Sequence, residues 1–312
     1  MRPFPAIAAL FVCASVAAAG APLWGSSLAA RNVIELPMPV WSAGDVARSV
    51  QTSHSTLHTI VVIDGKLVQE FDCFEDKHAE KSIHILAADD RGPTKVRIKY
   101  GALSAVKRRP LNAGDAAAAP LDDEFDTRNP LQNRTFHLLR KRETFTVLDG
   151  EEKRVEPGLA RLVLEEEGIS GTEYLRAGDI VARELAGRTL EIGVELTLSP
   201  AAARALIVDA DSPNALQLLL TPKAVRTVDG AHRALFSARL TTSNPSGVAV
   251  PRTTVDLRGD FTFDADSGRC VAIELLGQVN LAYAARDDSR AVEMTGQGPW
   301  VIRESVSYEQ TR

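Results

Sequence analysis

The sequence predicts a mainly β fold: a large curved antiparallel sheet, half-barrel-like, carrying a few short α-helices. Three observations predict it. Thr254–Tyr283 reads as one long hairpin, in which Val255, Leu257, Phe261 and Phe263 alternate with Asp256, Arg258, Asp260 and Thr262. Asp64-Gly65, Asp149-Gly150 and Asp229-Gly230 are turn signals, because Asp-Gly tolerates the positive φ of a tight hairpin turn. Helical periodicity is confined to short stretches.

Taken in order, Thr56–Ile63 and Lys66–Phe74 are strands around the first Asp-Gly pair. Lys81–Ala87 and Thr94–Tyr100 follow as a meander, with Val96, Ile98 and Tyr100 alternating against Lys95, Arg97 and Lys99. Thr135–Leu139 and Thr144–Leu148 resume the strand pattern. Pro157–Glu167 places Leu159, Leu162 and Val163 at helical spacing and stops at Gly168, although Glu165–Glu167 oppose the helix dipole. Leu190, Ile192, Val194, Leu196 and Leu198 alternate as a strand, and Ser199-Pro200 opens a helix over Pro200–Val208. Ala215–Leu220 is either a second short helix or a buried strand. Arg233–Thr241, the long hairpin, Arg290–Thr295 and Trp300–Tyr308 complete the antiparallel set. In the hairpin's second strand, Val271, Ile273, Leu275, Val279, Leu281 and Tyr283 share one side and Cys270 falls on the other.

Residues 1–19 read as an export signal: Arg2, the apolar run Ala6–Val16, and small residues Ala17–Ala19 for cleavage. Residues 20–40, with Pro22, Pro37 and Pro39, form a linker, and order begins near Trp41. Residues 41–312 make one β-rich domain with a flexible insertion at about 108–132, rich in Pro and Ala; the alternative is two domains, 41–107 and 133–312. No later stretch approaches the ~20 apolar residues of a membrane span, so the expected product is soluble and exported, periplasmic or extracellular. Loss of the signal takes Lys plus Arg from 36 to 35 against 41 acidic residues, a balance of −6. Such mild acidity with interspersed signs gives no footprint for nucleic acid or anionic lipid.

Two cysteines survive processing, Cys73 and Cys270, and an oxidising compartment permits a disulfide between them; the other reading is two separate thiols. His54 and His58 have zincin spacing without the intervening glutamate, in a segment that looks extended, so they are read as exposed polar positions rather than a weak metal site. Asp264–Gly268 has the composition of a turn rather than a calcium loop. Gly25-Ser26-Ser27-Leu28-Ala29 lacks the final glycine and preceding strand of a nucleophile elbow. Glu165–Glu167, Asp122–Glu124 and Asp287-Asp288 read as solvated faces or loops. No catalytic residues, metal ligands or cofactor are assigned, and the chain is not expected to be an enzyme.

Two passages carry a resemblance. Arg188-Thr-Leu-Glu-Ile-Gly193 with Ser199-Pro200-Ala-Ala-Ala, and Leu257–Asp264 with Ser267-Gly-Arg269, look like a group of uncharacterised exported bacterial proteins made mostly of β-strands. The second passage also resembles the strand–turn–strand of the periplasmic lipoprotein-carrier superfamily. That resemblance implies a curved antiparallel sheet that wraps helices and shelters an acyl chain. The expected function is then the binding or carriage of a lipid or other hydrophobic molecule, with Phe261, Phe263, Ile273, Leu275, Val279 and Leu281 as ligand-facing candidates. The alternative is a non-catalytic envelope interaction or structural module whose concave face is simply its core.

Overall fold

The fold is that of a computed structural model, which describes residues 32–108, 129–142, 144–169, 174, 176–207, 215–243, 252–286 and 291–310. The export signal, the Gly25–Ala29 motif, the Asp122–Glu124 run and Asp287-Asp288 lie outside the described residues. Within the unit spanning 32–312, the strands are β1 (Val33–Glu35), β2 (Asp45–Ile63), β3 (Lys66–Asp89), β4 (Gly92–Arg108), β5 (Thr135–Lys141) and β6 (Thr144–Asp149). After helices α1 (Pro157–Glu166) and α2 (Ala177–Leu185) come β7 (Thr189–Glu191), β8 (Leu196–Thr197) and helix α3 (Pro200–Ala205). The chain then runs through β9 (Ala215–Val228), β10 (Ala231–Ser243), β11 (Arg252–Asp264), β12 (Cys270–Arg286) and β13 (Ala291–Gln310).

Eleven strands make one antiparallel sheet that is not closed, in the order β6-β5-β4-β3-β2-β13-β12-β11-β10-β9-β8. Two meanders therefore run outward from the middle. They are joined where the first long strand meets the last, with Asp45 opposite Gln310 and Ile63 opposite Val292. That junction is the most non-local pairing in the chain. The sheet also runs without a break across the 109–128 stretch, since Lys95–Lys99 of β4 pair with Thr135–Leu139 of β5.

Local chemistry explains the turns. Asp64 and Gly65 take φ of 50° and 75°, and Asp229 and Gly230 take 50° and 78°, the double left-handed geometry that Asp-Gly accommodates. Asp149-Gly150 behaves differently. Its carboxylate accepts from the backbone of Glu151 and Lys153, both at 2.9 Å, and the chain passes on to α1 rather than to a partner strand. In the β11–β12 turn, Asp264 Oδ1 accepts from Ser267 N and Oγ while Gly268 sits at φ 70°.

The helices are capped as their sequences suggest. Glu156 accepts from Gly158 N and Leu159 N ahead of Pro157, and Ser199 accepts from Ala202 N ahead of Pro200. Glu184 of α2 in turn accepts from Ser199 N at 2.7 Å and Ser199 Oγ at 2.8 Å, which ties α3 to α2.

Several expectations are corrected. The 20–40 linker contains β1, which pairs with β7. The alternating run Leu190–Leu198 is broken into β7 and β8, because Gly193 adopts φ 87° between them. Lys66–Phe74 and Lys81–Ala87 are parts of a single strand, β3, since the polar Glu75–Glu80 also pairs with β2. Ala215–Leu220 is strand, in β9.

Two cores lie on one face of the sheet, called here the inner face. One packs Phe236, Leu257, Phe261, Phe263 and Leu275 against Val181 and Leu185 of α2. The other packs Ile83, Ile98, Tyr100 and Phe136 around Val163 of α1 and Tyr174.

Candidate functional site: the inner face of the central strands

Register assigns each side chain to a face, because directly paired residues point the same way. Ile273 lies opposite Phe261, Val279 opposite Val255, and Leu281 opposite Thr253. All six ligand-facing candidates, Phe261, Phe263, Ile273, Leu275, Val279 and Leu281, therefore share the inner face. Their surroundings divide them. Phe261, Phe263 and Leu275 are 0 % exposed and Ile273 is 3 % exposed, packed in the first core. Val279 and Leu281, further along β12, are only half-buried.

The division continues onto the neighbouring strands. Fully buried apolar side chains on the inner face end at Ala47 of β2, Ile83 of β3 and Ile302 of β13. Beyond them the same face carries half-buried Leu57, Phe71, Leu281, Tyr283, Met294 and Trp300. The opposite face at those rungs carries Asn280, Gln278, Gln297, His58 and Asp72, as the outer face of a one-sided sheet should. Trp300 is anchored by an Nε1 hydrogen bond to Ser53 Oγ at 2.9 Å. Gly277 and Gly298 also belong to this inner face. A Cβ at Gly298 would collide with the Thr56 carbonyl, and one at Gly277 with that of Asp256, so both positions mark close backbone approach of the neighbouring strand.

Two polar clusters pin helices to the sheet. At the end of α1, the Glu167 carboxylate accepts from Lys81 Nζ at 3.0 Å, Tyr100 OH at 2.8 Å and Tyr174 OH at 2.9 Å. This offsets the unfavourable placement of acid at a helix C-terminus, and it corrects the reading of Glu165–Glu167 as a solvated run for its last residue, because Glu167 is 5 % exposed while Glu165 and Glu166 are exposed. Burial, with Glu167 beside it, pushes the Tyr100 hydroxyl far above its ordinary range. At the start of α2, Arg176 donates to Tyr308 OH at 3.1 Å and pairs with Glu304 at 3.2 Å. Asp179, one turn on, is 1 % exposed, and neither carboxylate oxygen has a hydrogen-bond partner. Burial raises its pKa and the neighbouring Arg176 opposes the rise.

Cys270 is buried beside this second cluster. The parity argument that placed it away from the apolar side fails because the β11–β12 register shifts after Thr262, which sets Cys270 opposite Phe263 and turns it inward. It packs against α2 so closely that a Cβ on Gly178 would lie 2.6 Å from the Cys270 Cβ. No disulfide joins it to Cys73. The two lie on β12 and β3, three strand spacings or roughly 14 Å apart across the sheet, against a reach of about 7 Å between bridged Cα atoms.

His54 and His58 do share a face of β2, but four residues of strand separate them by about 13 Å. Each instead meets carboxylates of β3: His54 with Asp76, and His58 with Asp72 at 2.8 Å and Glu70 at 3.1 Å. Among the described residues no group of three His, Cys, Asp or Glu is placed to hold a metal ion. A groove of about 680 Å³ opens at the other end of the long strands, lined by Met38, Val40, Arg233, Val271 and Tyr308 among others. Its arginines are engaged, Arg233 with Asp264 at 2.7 Å and Arg269 with Asp45 and the Val40 carbonyl.

Fold and face together define an open antiparallel sheet protein with an apolar inner surface only partly covered by its own cores. No family model and no curated protein matches the chain. Among solved structures, a chain from one titled "Lipid-protein interactions in lipovitellin" aligns with a TM-score of 0.40 and 7 % identity, over 87 % of this chain and 26 % of that one. The protein thus spans about a quarter of that chain's length, and a likeness at this level adds nothing to the fold already described.

Proposed function

We propose that the protein is an exported, non-catalytic binder of a lipid or other hydrophobic molecule, and that the ligand lies on the inner face of β12, β13, β2 and β3. The observation that carries this reading is the partly exposed apolar surface of Leu57, Phe71, Leu281, Tyr283, Met294 and Trp300, continuous with a packed core and backed at those rungs by Asn280, Gln278, Gln297, His58 and Asp72. Contiguous apolar surface costs free energy in water, at about 25 cal/mol per Å², and its persistence on one face calls for an occupant. An acyl chain suits the extended apolar strip of sheet, and Ser55, Gln51 and the Lys77–Glu75 pair on the same face of the adjoining rungs are placed to meet a polar head group.

The test is extraction of the purified protein with organic solvent followed by lipid mass spectrometry, together with uptake of a fluorescent fatty acid. A bound hydrophobe or saturable uptake supports the reading. Neither, in protein of intact fold, leaves the envelope module as the account of this face.

A further inference from the structure

The inner face of β2 and β3 changes character between two neighbouring rungs. On one side lies the apolar strip, which runs from Leu57 to Ile63 on β2, about 20 Å of strand. Thr59, within it, is 2 % exposed and donates to the Leu57 carbonyl at 3.4 Å. On the other side the same face carries Ser55, Ser53 and Gln51 of β2 and Glu75 and Lys77 of β3. Charge is rare on this face of β2, β3, β12 and β13. Asp45, Lys81 and Glu304 each sit in a buried cluster, with Arg269, Glu167 and Arg176 respectively, and Lys66 belongs to the turn. Among the described residues of these strands, Glu75 and Lys77 are then the charges standing on open inner face, with side chains 32 % and 54 % exposed. Lys77 Nζ reaches back to Glu75 Oε1 at 2.9 Å. Both charges therefore stand level with Ser55, beside the first rung of the strip at Leu57 and Cys73.

We infer that the ligand is a zwitterionic phospholipid, its phosphate on Lys77, its ammonium on Glu75 and its chains along the strip, an assignment that rests on the strip being a lipid site. Charge matching selects the head group. A singly charged head that meets one member of the pair also meets a like charge a few ångströms away. An uncharged head covers the pair and takes away its water without replacing it. A head carrying both charges replaces that water on both sides. Ser55, opposite Glu75, and Gln51, further along β2, add hydrogen-bond partners at the same end. The formal net charge of −5 adds to the penalty for an anionic lipid. The tails fit in length as well, since the strip exceeds the ~15 Å that one leaflet contributes to a hydrocarbon core of ~30 Å.

The experiment compares uptake of fluorescent phosphatidylcholine, phosphatidylglycerol and diacylglycerol with identical chains by the protein, purified as the cell processes it. Phosphatidylcholine should bind about fivefold more tightly than either of the others, the scale of two exposed ion contacts. Lys77→Gln together with Glu75→Gln should bring the ratio of phosphatidylcholine to diacylglycerol affinity close to one. Singly, Lys77→Gln should lower phosphatidylglycerol binding and Glu75→Gln should raise it, opposite shifts that a merely structural role does not produce. The wild-type comparison stands without any variant. Phosphatidylglycerol or diacylglycerol bound as tightly as phosphatidylcholine, or an unchanged ratio in the double variant, overturns the head-group assignment while leaving the strip a lipid site. Uptake of none of the three by protein of intact fold refutes the strip itself, and this inference with it.

Discussion

Replacing Phe261 with alanine tests whether the long hairpin is divided into a core half and a binding half. Phe261 is 0 % exposed, lies directly opposite both Phe236 of β10 and Ile273 of β12, and stacks on Phe263 with ring centroids 6.1 Å apart at 19°. Deleting its ring removes transfer free energy and leaves a cavity whose walls are held by three strands, so the cost should fall at about 3–5 kcal/mol. Against the ~5–15 kcal/mol that separates a folded domain from its unfolded ensemble, a loss of this size moves a urea midpoint unmistakably. Leu281→Ala is the matched control. Leu281 is half-buried on the same face, so its removal should cost about 1 kcal/mol or less while weakening fatty-acid uptake. Phe261→Ala that costs less than about 1 kcal/mol and abolishes uptake would reverse the assignment. The ligand would then sit among the residues described here as core.

Three further outcomes follow from the polar clusters and the thiols. Glu167→Gln leaves Lys81, whose side chain is 11 % exposed, without its anion, and should destabilise by about 3–5 kcal/mol in urea unfolding, whereas an effect within error would show that the cluster is not a unit. Asp179 has a folded pKa raised above its unfolded value, so the native state holds its proton more tightly. Its contribution is therefore favourable below the unfolded pKa near 4 and is lost as pH rises through the folded value. The stability difference between wild type and Asp179→Asn should accordingly shift toward the variant as pH rises from 4 to 7, and a flat difference would contradict the raised pKa. Alkylation followed by mass spectrometry should label half-buried Cys73 in the native protein and Cys270 only on unfolding, because burial pushes the Cys270 thiol well above its ordinary range; a disulfide-linked peptide would contradict the register.

What the sequence makes legible here is local. Alternation in β11 and β12 assigns the inner face correctly for all six candidate residues, because strand parity is a property of neighbouring residues alone. Asp-Gly pairs mark two tight turns for the same reason. Parity fails at Cys270, where a single bulge reverses the faces, and bulges leave little trace in sequence. Helix α2 escapes notice because its buried side, Gly178, Asp179, Val181, Ala182 and Leu185, contains two residues too small and one too polar to signal an apolar stripe. The β13–β2 junction joins residues more than 200 positions apart, and no periodicity encodes it. Above all, alternation tells which way Phe261 and Leu281 point but not that Phe261 shares a core with α2 while, among the described residues, no helix belongs to the surroundings of Leu281. The binding strip and the core therefore look alike until the strands are placed side by side.

The central claim, that a hydrophobic ligand lies along the inner face, is tested most directly by the fluorescence of Trp300. Of the three tryptophans, Trp41 is 4 % exposed in the second core, whereas Trp300 is half-buried on the strip itself. Bromine-labelled fatty acid should quench a Trp24→Phe variant of the protein saturably, and Trp300→Phe should remove that quenching while leaving the residual Trp41 emission untouched. Emission that stays unchanged through saturating fatty acid, or quenching that survives the loss of Trp300, would contradict the account.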